Sequence, residues 1–494
     1  MSILYHSTRG SSKKVTASAA ILKGLADDGG LYVTESFPLL DIPVESLSKL
    51  SYQETAYEIM KLFLGDFTEE ELKESIDKAY DEKFETKEIV PFVKKGDAFF
   101  LELYHGQTAA FKDMALSILP HLLKVSAKKN GVTKEIVILT ATSGDTGKAA
   151  LAGFSNVNGT KIIAFYPKDG VSSIQEKQMI TQVGDNTYAI GVLGDFDDTQ
   201  TGVKQIFNNR ELAKEMDKAG YQFSSANSIN IGRLLPQVVY YAYAYGQLLR
   251  QKECKAGESF DVIVPTGNFG NILAAYYAKQ IGIPIGKLVC VSNENKVLYD
   301  FFQTGSYDRN RELVLTTSPS MDILVSSNLE RLIYNMTGNN TGKTSQLMKE
   351  LEQNGAYSIT DEMKANSKDF VGGFLSMDEV KDTIKSYFDN ENYLIDTHTA
   401  VAAGVFKQWK SSGKTVIVST ASPYKFTRSV MEALGEDCQN KTDFDLIDEL
   451  HQISGVPIPG AISEIRTAPV CHNTVCDKSE MEDAVRNILN LKGK

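Results

Sequence analysis

The chain has 494 residues, of which 42% are hydrophobic and 23% charged, which is the composition of a globular protein rather than a disordered one. Its 52 lysines and arginines against 63 acidic residues give a net charge of −11, so no overall positive field attracts nucleic acid or anionic lipid. No apolar run approaches the roughly 18–20 residues of a membrane span. These properties exclude a membrane protein, and the length predicts two large α/β domains or about three smaller ones.

The five cysteines indicate a reducing compartment, and we predict a cytoplasmic protein. Their odd number and scattered positions do not form the disulfide framework of a secreted protein. Cys471 and Cys476 enclose His472, as ligands do in some zinc sites, but no second ligand cluster lies nearby in the sequence. We therefore interpret this segment as a loop with ordinary thiols and predict no metal.

The first 95 residues are predicted to form an N-terminal segment that is mainly helical beyond residue 34. Residues 1–26 contain no acidic side chain, which is also the composition of an organellar transit peptide. We favour instead a short strand followed by a helix over 16–25. Ser51 and Glu54 form a capping box, which is the signal of a helix N-terminus.

Beyond residue 96, short apolar runs alternate with longer amphipathic segments, a pattern typical of βαβ units in mainly parallel sheets. Predicted strands lie at 99–104, 136–141, 161–166, 187–192, 260–265, 287–292 and 415–419. Predicted helices span 108–129, 174–181, 196–209, 231–252 and 269–281, and others begin after Gly144, at His398 and after Pro423. The predicted fold class is therefore α/β.

We divide this part of the chain into a smaller α/β domain over 96–230 and a larger one over 231–494. Two helices rich in lysine and glutamate interrupt the alternation at 340–392, and the second begins with a capping box of Ser376 and Glu379. We interpret residues 340–392 as a helical insertion on the larger domain.

The loop after the strand at 260–265 has the features of a phosphate site. Ligands of open α/β sheets bind beyond the carboxyl ends of the strands, so the loops from strand to helix are the segments to inspect. Gly267 and Gly270 allow close backbone approach, and free amides at the start of the next helix bind anions. No lysine follows these glycines, so a cofactor monoester is favoured over a nucleotide. The alternative is a glycine-rich turn needed only for its geometry.

The loop from Thr142 to Gly147 also connects a strand to a helix. Lys148 follows this loop, as a lysine does in a nucleotide-binding loop. However, Thr142 stands at the position where that motif requires its first glycine, and Ala149 stands where it requires the hydroxyl residue that holds Mg²⁺. Its hydroxyl side chains and glycines are suited to binding a carboxylate. The alternative is a plain polar turn.

The third loop, His105 to Asp113, places Lys112 in the first turns of a predicted helix. The positive end of the helix dipole disfavours an ammonium group, and together with burial it lowers a lysine pKa. A lysine of this kind favours Schiff-base chemistry. The alternative is a solvated lysine beside Asp113.

A catalytic lysine, a carboxylate loop and a phosphate loop at three strand ends are together the parts needed to bind pyridoxal phosphate and an amino acid. The three loops resemble three signatures of the threonine synthase family, which belongs to fold type II of the pyridoxal-phosphate enzymes. Similar segments extend over nearly the whole chain, at 5–9, 24–32, 225–233, 320–323 and 419–426. The insertion resembles the longer, fungal-type branch. The resemblance implies two three-layer α/β domains with mainly parallel sheets, like those of the tryptophan synthase β subunit.

The resemblance also implies a role for each matching position. Lys112 would form the Schiff base with pyridoxal 5'-phosphate, and the Thr420 hydroxyl would meet the pyridine nitrogen. The cofactor phosphate would be held by Gly267, Asn268, Phe269, Gly270 and Asn271. The substrate carboxylate and the cofactor's phenolic oxygen would be lined by Ser143, Gly144, Asp145 and Thr146, of which Asp145 is assigned to the cofactor. The substrate phosphate would be bound by Asn227, Ser228, Asn230 and Arg233. From the residues alone, Arg233 would be interpreted as a surface arginine.

The implied activity is conversion of O-phospho-L-homoserine and water to L-threonine and phosphate, by γ-elimination of phosphate and β-addition of water. Lys112 would take the Cα proton as general base. Two alternatives stay open: a related phospho-lyase that releases 2-oxobutyrate, and a non-catalytic amino-acid-binding relative. The expected partner is the small-molecule substrate, with no nucleic acid and no membrane, and the chain is expected to be a monomer or homodimer.

Three positions depart from the family pattern. Gln107 and Thr397 stand where proline is usual, and Ser422 stands where histidine is usual. Each lies beside the predicted site and none removes a group assigned to it, so we expect altered loop geometry rather than a different reaction.

Overall fold

Strands and helices alternate over most of the computed structural model, which describes residues 3–10, 13–409, 411 and 413–491. The strands are β1 (Tyr5–Ser7), β2 (Tyr32–Thr34), β3 (Phe92–Lys95), β4 (Ala98–Glu102), β5 (Glu135–Ala141), β6 (Thr160–Pro167), β7 (Thr187–Leu193), β8 (Tyr221–Ser224), β9 (Phe260–Pro265), β10 (Ile285–Ser292), β11 (Ser306–Asp308), β12 (Ala356–Ser358), β13 (Phe370–Phe374), β14 (Lys414–Ser419) and β15 (Val475–Asp477). The α-helices are α1 (Ala17–Lys23), α2 (Tyr52–Phe63), α3 (Glu69–Ala79), α4 (Asp113–Leu116), α5 (Leu119–Lys129), α6 (Asp145–Phe154), α7 (Ser173–Ile180), α8 (Phe196–Asn208), α9 (Arg210–Lys218), α10 (Ile231–Arg250), α11 (Gly270–Gln280), α12 (Val297–Thr304), α13 (Leu329–Met336), α14 (Thr341–Asn354), α15 (Asp361–Asn366), α16 (Met377–Glu391), α17 (Thr397–Gln408), α18 (Thr427–Leu434), α19 (Asp443–Ser454), α20 (Gly460–Ser463) and α21 (Met481–Ile488).

Two mainly parallel sheets organise these elements, which confirms the predicted α/β class. The large sheet has the strand order β13-β10-β9-β14-β4-β3, and all neighbours are parallel except β3 and β4. The small sheet has the order β15-β7-β6-β5-β8 and is parallel throughout. Every residue of β4 and β9 is buried, as expected for strands covered by helices on both faces.

The long helix α10 connects the two sheets through the interior. It follows β8 of the small sheet and precedes β9 of the large sheet. Eighteen of its 20 residues, Ile231 to Leu248, are buried. A helix that is buried on all sides in this way belongs to the core, and here it joins the two halves of the site described below.

The strand pairing places some residues differently from the sequence analysis. β4 was assigned with the smaller domain at 96–230, but it pairs with β14 in the large sheet. The stretch 340–392 is not purely a helical insertion, because β13 pairs in parallel with β10 as the edge of the large sheet. β15, assigned to the larger domain at 231–494, pairs with β7 in the small sheet. Residues 1–2 and 492–494 of the outer domains lie outside the described residues.

The predicted helix over 108–129 is also wrong as a single element. The chain forms the one-turn helix α4 and then α5, which carries Pro120 in its first turn. Proline has no N–H to bond the Leu116 carbonyl four residues earlier, and it favours the start of a helix. Before α4, Ala109 adopts a φ of 55°, which no helix tolerates.

Local sequence signals were reliable in the N-terminal segment. The predicted strand and helix are β1 and α1, with Thr16 capping α1. Ser51 and Ser376 each cap a helix through a complete capping box, as predicted. Among the described residues, no helix combines the length and the apolar character that crossing a bilayer requires.

Candidate active site

The loops predicted to carry the chemistry all follow the carboxyl ends of strands, and Ser320 joins them. Lys112 Nζ donates a hydrogen bond to Ser320 Oγ at 3.4 Å, and Ser320 Oγ donates to Asp145 Oδ2 at 3.0 Å. A Cβ on Gly267 would lie 2.5 Å from the Ser320 carbonyl oxygen, so the phosphate loop is in close contact with this serine. The loops after β4, β5 and β9 therefore meet at one place.

Lys112 is largely buried at the start of α4, where its side chain is 12% exposed. Burial lowers the pKa of Lys112, and the positive charges of Lys425 and Arg233 lower it further, while Asp145 opposes them. The sequence analysis attributed such a shift to a helix dipole as well as to burial. Since α4 has only four residues, the nearby cations and burial are the better explanation.

Asp145 is the anion at the centre of this cluster. Its carboxylate accepts hydrogen bonds from Gln175 at 2.9 Å and lies 3.0 Å from Lys425 Nζ and 3.6 Å from Lys112 Nζ. Burial alone would raise the pKa of Asp145, but the two lysines hold it well below its ordinary range. The carboxylate is thus occupied by protein donors, and what Asp145 can offer a ligand directly is its backbone amide.

The loop before α6 has an anion-binding backbone. Thr142 Oγ1 accepts hydrogen bonds from the amides of Gly144 and Gly147, both at 2.9 Å. Gly144 has a φ of 129°, and a Cβ there would lie 2.4 Å from the Gln175 side chain, so only glycine fits. Ser143 is exposed and Thr146 is half-buried. In the described part of the chain, the amides of Ser143, Asp145 and Thr146 have no acceptor.

The loop before α11 presents a longer row of free donors. Across the described residues, the backbone amides of 267–272 have no acceptor, and Phe269 holds the turn with a φ of 64°. Asn271 Oδ1 accepts from the hydroxyls of Tyr240 and Tyr241, each at 2.6 Å. Asn271 Nδ2 is buried and has no hydrogen-bond partner in the described part of the chain. Such a set of donors is suited to a phosphate group.

Thr420 is brought to the lysine loop by β14. Its carbonyl oxygen accepts a hydrogen bond from the Phe111 amide at 2.8 Å, one residue before Lys112. The residue is buried, and its hydroxyl has no hydrogen-bond partner among the described residues. The hydroxyl is therefore available to a ligand.

Arg233 is a buried cation, not the surface arginine that the residues alone indicated. It is 4% exposed, one guanidinium nitrogen donates to the Ala226 carbonyl at 2.9 Å, and Nε has no partner. Within the described residues it forms no ion pair, and burial lowers its pKa to about 10. An uncompensated buried guanidinium is a site for an anion, with phosphate a good geometric match.

The other residues assigned to the substrate phosphate differ among themselves. Asn227 is exposed and Ser228 half-buried, so both are accessible. Asn230 is fully buried, and its amide group bonds Ile21, Ser225 and Gly232. The assignment of Asn230 to the ligand stays a prediction, while in the structure its hydrogen-bonding groups hold the loop and cap α10.

The sequence analysis did not single out three residues of the cluster: Ser320, Lys425 and Gln175. Ser320 and Lys425 lie in segments that resemble the family, but nothing in the sequence signals that Lys425 is buried with 0% exposure of its side chain. His398 accepts a hydrogen bond from the Ser320 amide at 3.2 Å and is oriented by Asp396 at 2.8 Å.

Two of the three residues that depart from the family pattern form hydrogen bonds in loops at the site. Gln107 is exposed. The Thr397 hydroxyl donates to the Thr317 carbonyl at 2.7 Å, and the Ser422 hydroxyl accepts from the Tyr424 amide at 3.3 Å. Each of the two hydroxyls thus supports a loop at the site.

Comparison with known proteins identifies the family of this chain. Family models match at residues 4–80 (threonine synthase N terminus), 93–423 (pyridoxal-phosphate dependent enzyme) and 399–459 (threonine synthase, C-terminal). The threonine synthase of Saccharomyces cerevisiae is 35% identical, over 91% of this chain and 93% of the relative. The chain belongs to the threonine synthase family.

Two further relatives define the extent of the similarity. The crystal structure of pyridoxal-phosphate-bound threonine synthase from Brucella melitensis superposes with a TM-score of 0.88 at 33% identity, covering 98% of this chain and 99% of that one. Human threonine synthase-like 1 is 41% identical over 90% of this chain. The chain spans 62% of the length of that longer relative.

The cofactor of the family, pyridoxal phosphate, fits the residues present. The free amides of 267–272 and the orphaned Asn271 Nδ2 match its phosphate. Lys112 is an amine whose pKa is lowered, as a Schiff-base lysine requires, and the Thr420 hydroxyl is free for a ring nitrogen. The donor set thus agrees with the cofactor that the family implies.

Proposed function

We propose that this protein is a threonine synthase, which converts O-phospho-L-homoserine and water to L-threonine and phosphate. The observation that carries the proposal is Arg233, a buried guanidinium with no acidic partner among the described residues, whose charge also acts on Lys112. A pyridoxal-phosphate enzyme for an ordinary amino acid needs no second phosphate site. The similarity to yeast threonine synthase over nearly the full length of both chains supports the same activity.

We propose that the cofactor is held by Lys112, by residues Gly267 to Asn271 and by the Thr420 hydroxyl, with Asp145 acting through its amide and its contact with Lys112. When bound, pyridoxal phosphate supplies an electron sink that stabilises negative charge on the substrate carbons beside the amino group. The remaining tasks belong to the side chains and amides of the protein.

The proposed catalytic residue is Lys112. Its lowered pKa favours the neutral amine, which can accept a proton from the substrate Cα at Nζ and return it later. Ser320 Oγ, 3.4 Å away, holds Nζ in place between proton transfers. The same group is then available when water has added at Cβ.

Two groups of donors would orient the substrate. Its carboxylate would bind to the loop of Ser143, Gly144 and Thr146, whose free amides begin α6. Its phosphate would bind to Arg233, with the accessible polar groups of Asn227 and Ser228. The phosphate leaves from Cγ, and Arg233 stabilises the charge that develops on it.

Compartment, assembly and domain division complete the proposal. The free cysteines among the described residues support a cytoplasmic protein, and a monomer or homodimer stays the expected assembly. We retain a domain division close to that predicted, with an N-terminal segment and one α/β domain around each sheet. Its boundaries follow the strand pairing.

Product analysis of the purified protein given O-phospho-L-homoserine tests the proposal. We expect one threonine for each phosphate released. Phosphate accompanied by 2-oxobutyrate instead would assign the chain to a phospho-lyase. An absence of phosphate release from the holoenzyme would contradict the proposed function altogether.

A further inference from the structure

Two buried lysines lie near the carboxylate of Asp145, and their distances to it differ. Lys425 Nζ lies 3.0 Å from Asp145 Oδ1 and donates to the Thr108 carbonyl at 2.8 Å, and its side chain is completely buried. Lys112 Nζ is 3.6 Å from Asp145 Oδ2, and its hydrogen bond goes to a neutral hydroxyl. The better ion-pair geometry therefore belongs to Lys425.

We propose that Lys425 is a positioning residue that carries the positive charge paired with Asp145 and thereby leaves the amine of Lys112 neutral. The inference deepens the proposed function, because it rests on Lys112 being the reacting amine. Two ammonium groups in the same dry cluster with one carboxylate would leave one charge uncompensated. The geometry assigns the proton to Lys425.

The charges around both lysines agree with this assignment. Three charged groups act on Lys112: Asp145 of α6, Lys425 of the turn before α18 and Arg233 of α10. Cations therefore outnumber anions around Lys112. Lys425 acts on Asp145, and it also faces Asp113 and Lys148. Lys425 is thus the nearest ammonium group to the Asp145 carboxylate, and Lys112 lies further away beside two other cations.

Acylation of the full-length apoprotein at a series of pH values, with each lysine followed by peptide mass spectrometry, tests the proposal. Only a neutral amine reacts, so the midpoint of the labelling curve reports its protonation. In the wild-type chain, Lys112 should be labelled with a midpoint below the ordinary lysine value of about 10.4, and Lys425 should be protected. Labelling of Lys425 before Lys112, or an ordinary midpoint for Lys112, would overturn the proposal.

Substitution of Lys425 separates charge from packing. In Lys425→Met, Lys112 becomes the counter-ion of Asp145, so its midpoint should rise by about one pH unit, which is a tenfold slower labelling below the midpoint. Lys425→Arg keeps the charge and should restore a midpoint near that of the wild type. An unchanged midpoint in Lys425→Met would contradict the proposal.

Lys148→Met is the matched control, because Lys148 is also buried but its Nζ bonds Gln182. It should leave the Lys112 midpoint in place. If Lys425→Met does not fold, the wild-type order of labelling and Lys425→Arg still decide the question. The readout needs no substrate, so loss of the proposed synthase activity and loss of this charge assignment are distinguishable.

Discussion

Arg233 and Lys112 are basic side chains that the fold largely buries, and among the described residues neither has a carboxylate of its own. Asp145 lies nearer to Lys425 than to Lys112, and the Arg233 side chain bonds the Ala226 carbonyl while its Nε has no partner among the described residues. Burying a charge in this way is unfavourable for stability. Arg233 is therefore explained by a ligand that brings negative charge, and its burial lowers stability in exchange for binding.

Replacement of Arg233 tests this view. Arg233→Met should raise KM for the phosphorylated substrate by about tenfold or more, since a charge-assisted hydrogen bond contributes about 1.5–3 kcal/mol. The unfolding temperature should stay the same or rise, because a buried unpaired charge is removed. Steady-state kinetics and thermal unfolding measure the two effects.

Arg428→Met is the control for Arg233, because Arg428 is 41% exposed and pairs with Asp443. It should leave KM unchanged. An unchanged KM in Arg233→Met would remove Arg233 from the substrate site.

At the scale of elements, the turn before α6 fixes the proposed carboxylate site. Gly144 combines a φ of 129° with close contact to Gln175, which in turn bonds Asp145. Gly144→Ala should therefore displace Gln175 and lower kcat/KM by about a hundredfold, since small misplacements at a reacting centre have effects of that size. Activity and circular dichroism would be measured together.

Gly131→Ala provides the comparison for Gly144→Ala. Gly131 also has a positive φ, of 66°, but a Cβ there would have no described atom within 4 Å. The strain should cost about 1 kcal/mol of stability and leave activity intact. Equal activities for the two variants would argue against the close contact at Gly144.

A histidine on α5 links stability to pH. Burial lowers the pKa of His121 to about 4, and Lys78, Lys83 and Lys124 add to the effect. Between pH 6.5 and 4, His121 binds a proton in the unfolded chain but stays neutral in the folded chain. The free energy of unfolding therefore falls as the pH falls through this window. His121→Gln should reduce that loss of stability by about 2–3 kcal/mol. Urea unfolding at pH 6.5 and at pH 4 measures the free energy of unfolding for both chains.

Lys124→Gln removes one of the cations next to His121. It should reduce the loss of stability only in part. A pH dependence of unfolding identical to that of the wild type in His121→Gln would exclude His121 as its source.

Sequence signals located the elements that carry local information. Residues close together in the sequence determine the capping boxes at Ser51 and Ser376 and the glycine loop before α11. The structure has all three where they were predicted. β13 could not be found in this way. Two of its five residues are Gly372 and Gly373, which let it pack closely against Tyr299 and Val405, and its partner β10 is distant in sequence.

The residues of the site show the same difference between local sequence signals and contacts between distant segments. Lys112 and the loop glycines could be predicted because their residue types and neighbours are distinctive. The burial of Arg233, the pairing of Lys425 with Asp145 and the structural use of Asn230 could not, because each depends on contacts between distant segments.

At the scale of the whole molecule, the C-terminal residues tie the two halves together. After α19 and α20, the amides of Cys471 and His472 both donate to the Ile180 carbonyl, and β15 then extends the small sheet beside β7. α21 covers this addition, with Met481 1% exposed against Gly202. The small sheet is therefore completed by residues that follow the large sheet in sequence.

Met481→Ala should destabilise the protein by about 2–5 kcal/mol, the range for a cavity left by methionine. Asn487→Ala on the exposed side of the same helix should change stability by about 0.5 kcal/mol or less. Denaturant unfolding measures both. Equal small effects would mean that α21 contributes little to holding the small sheet.

The most direct test of the proposed reaction is turnover of O-phospho-L-homoserine in ¹⁸O-labelled water. If phosphate leaves from Cγ by cleavage of the carbon–oxygen bond and water adds at Cβ, the label should appear in the threonine hydroxyl and be absent from the released phosphate. Lys112→Ala should form neither product. Labelled phosphate together with homoserine would mean hydrolysis at phosphorus, and would contradict the account of this site as a threonine synthase.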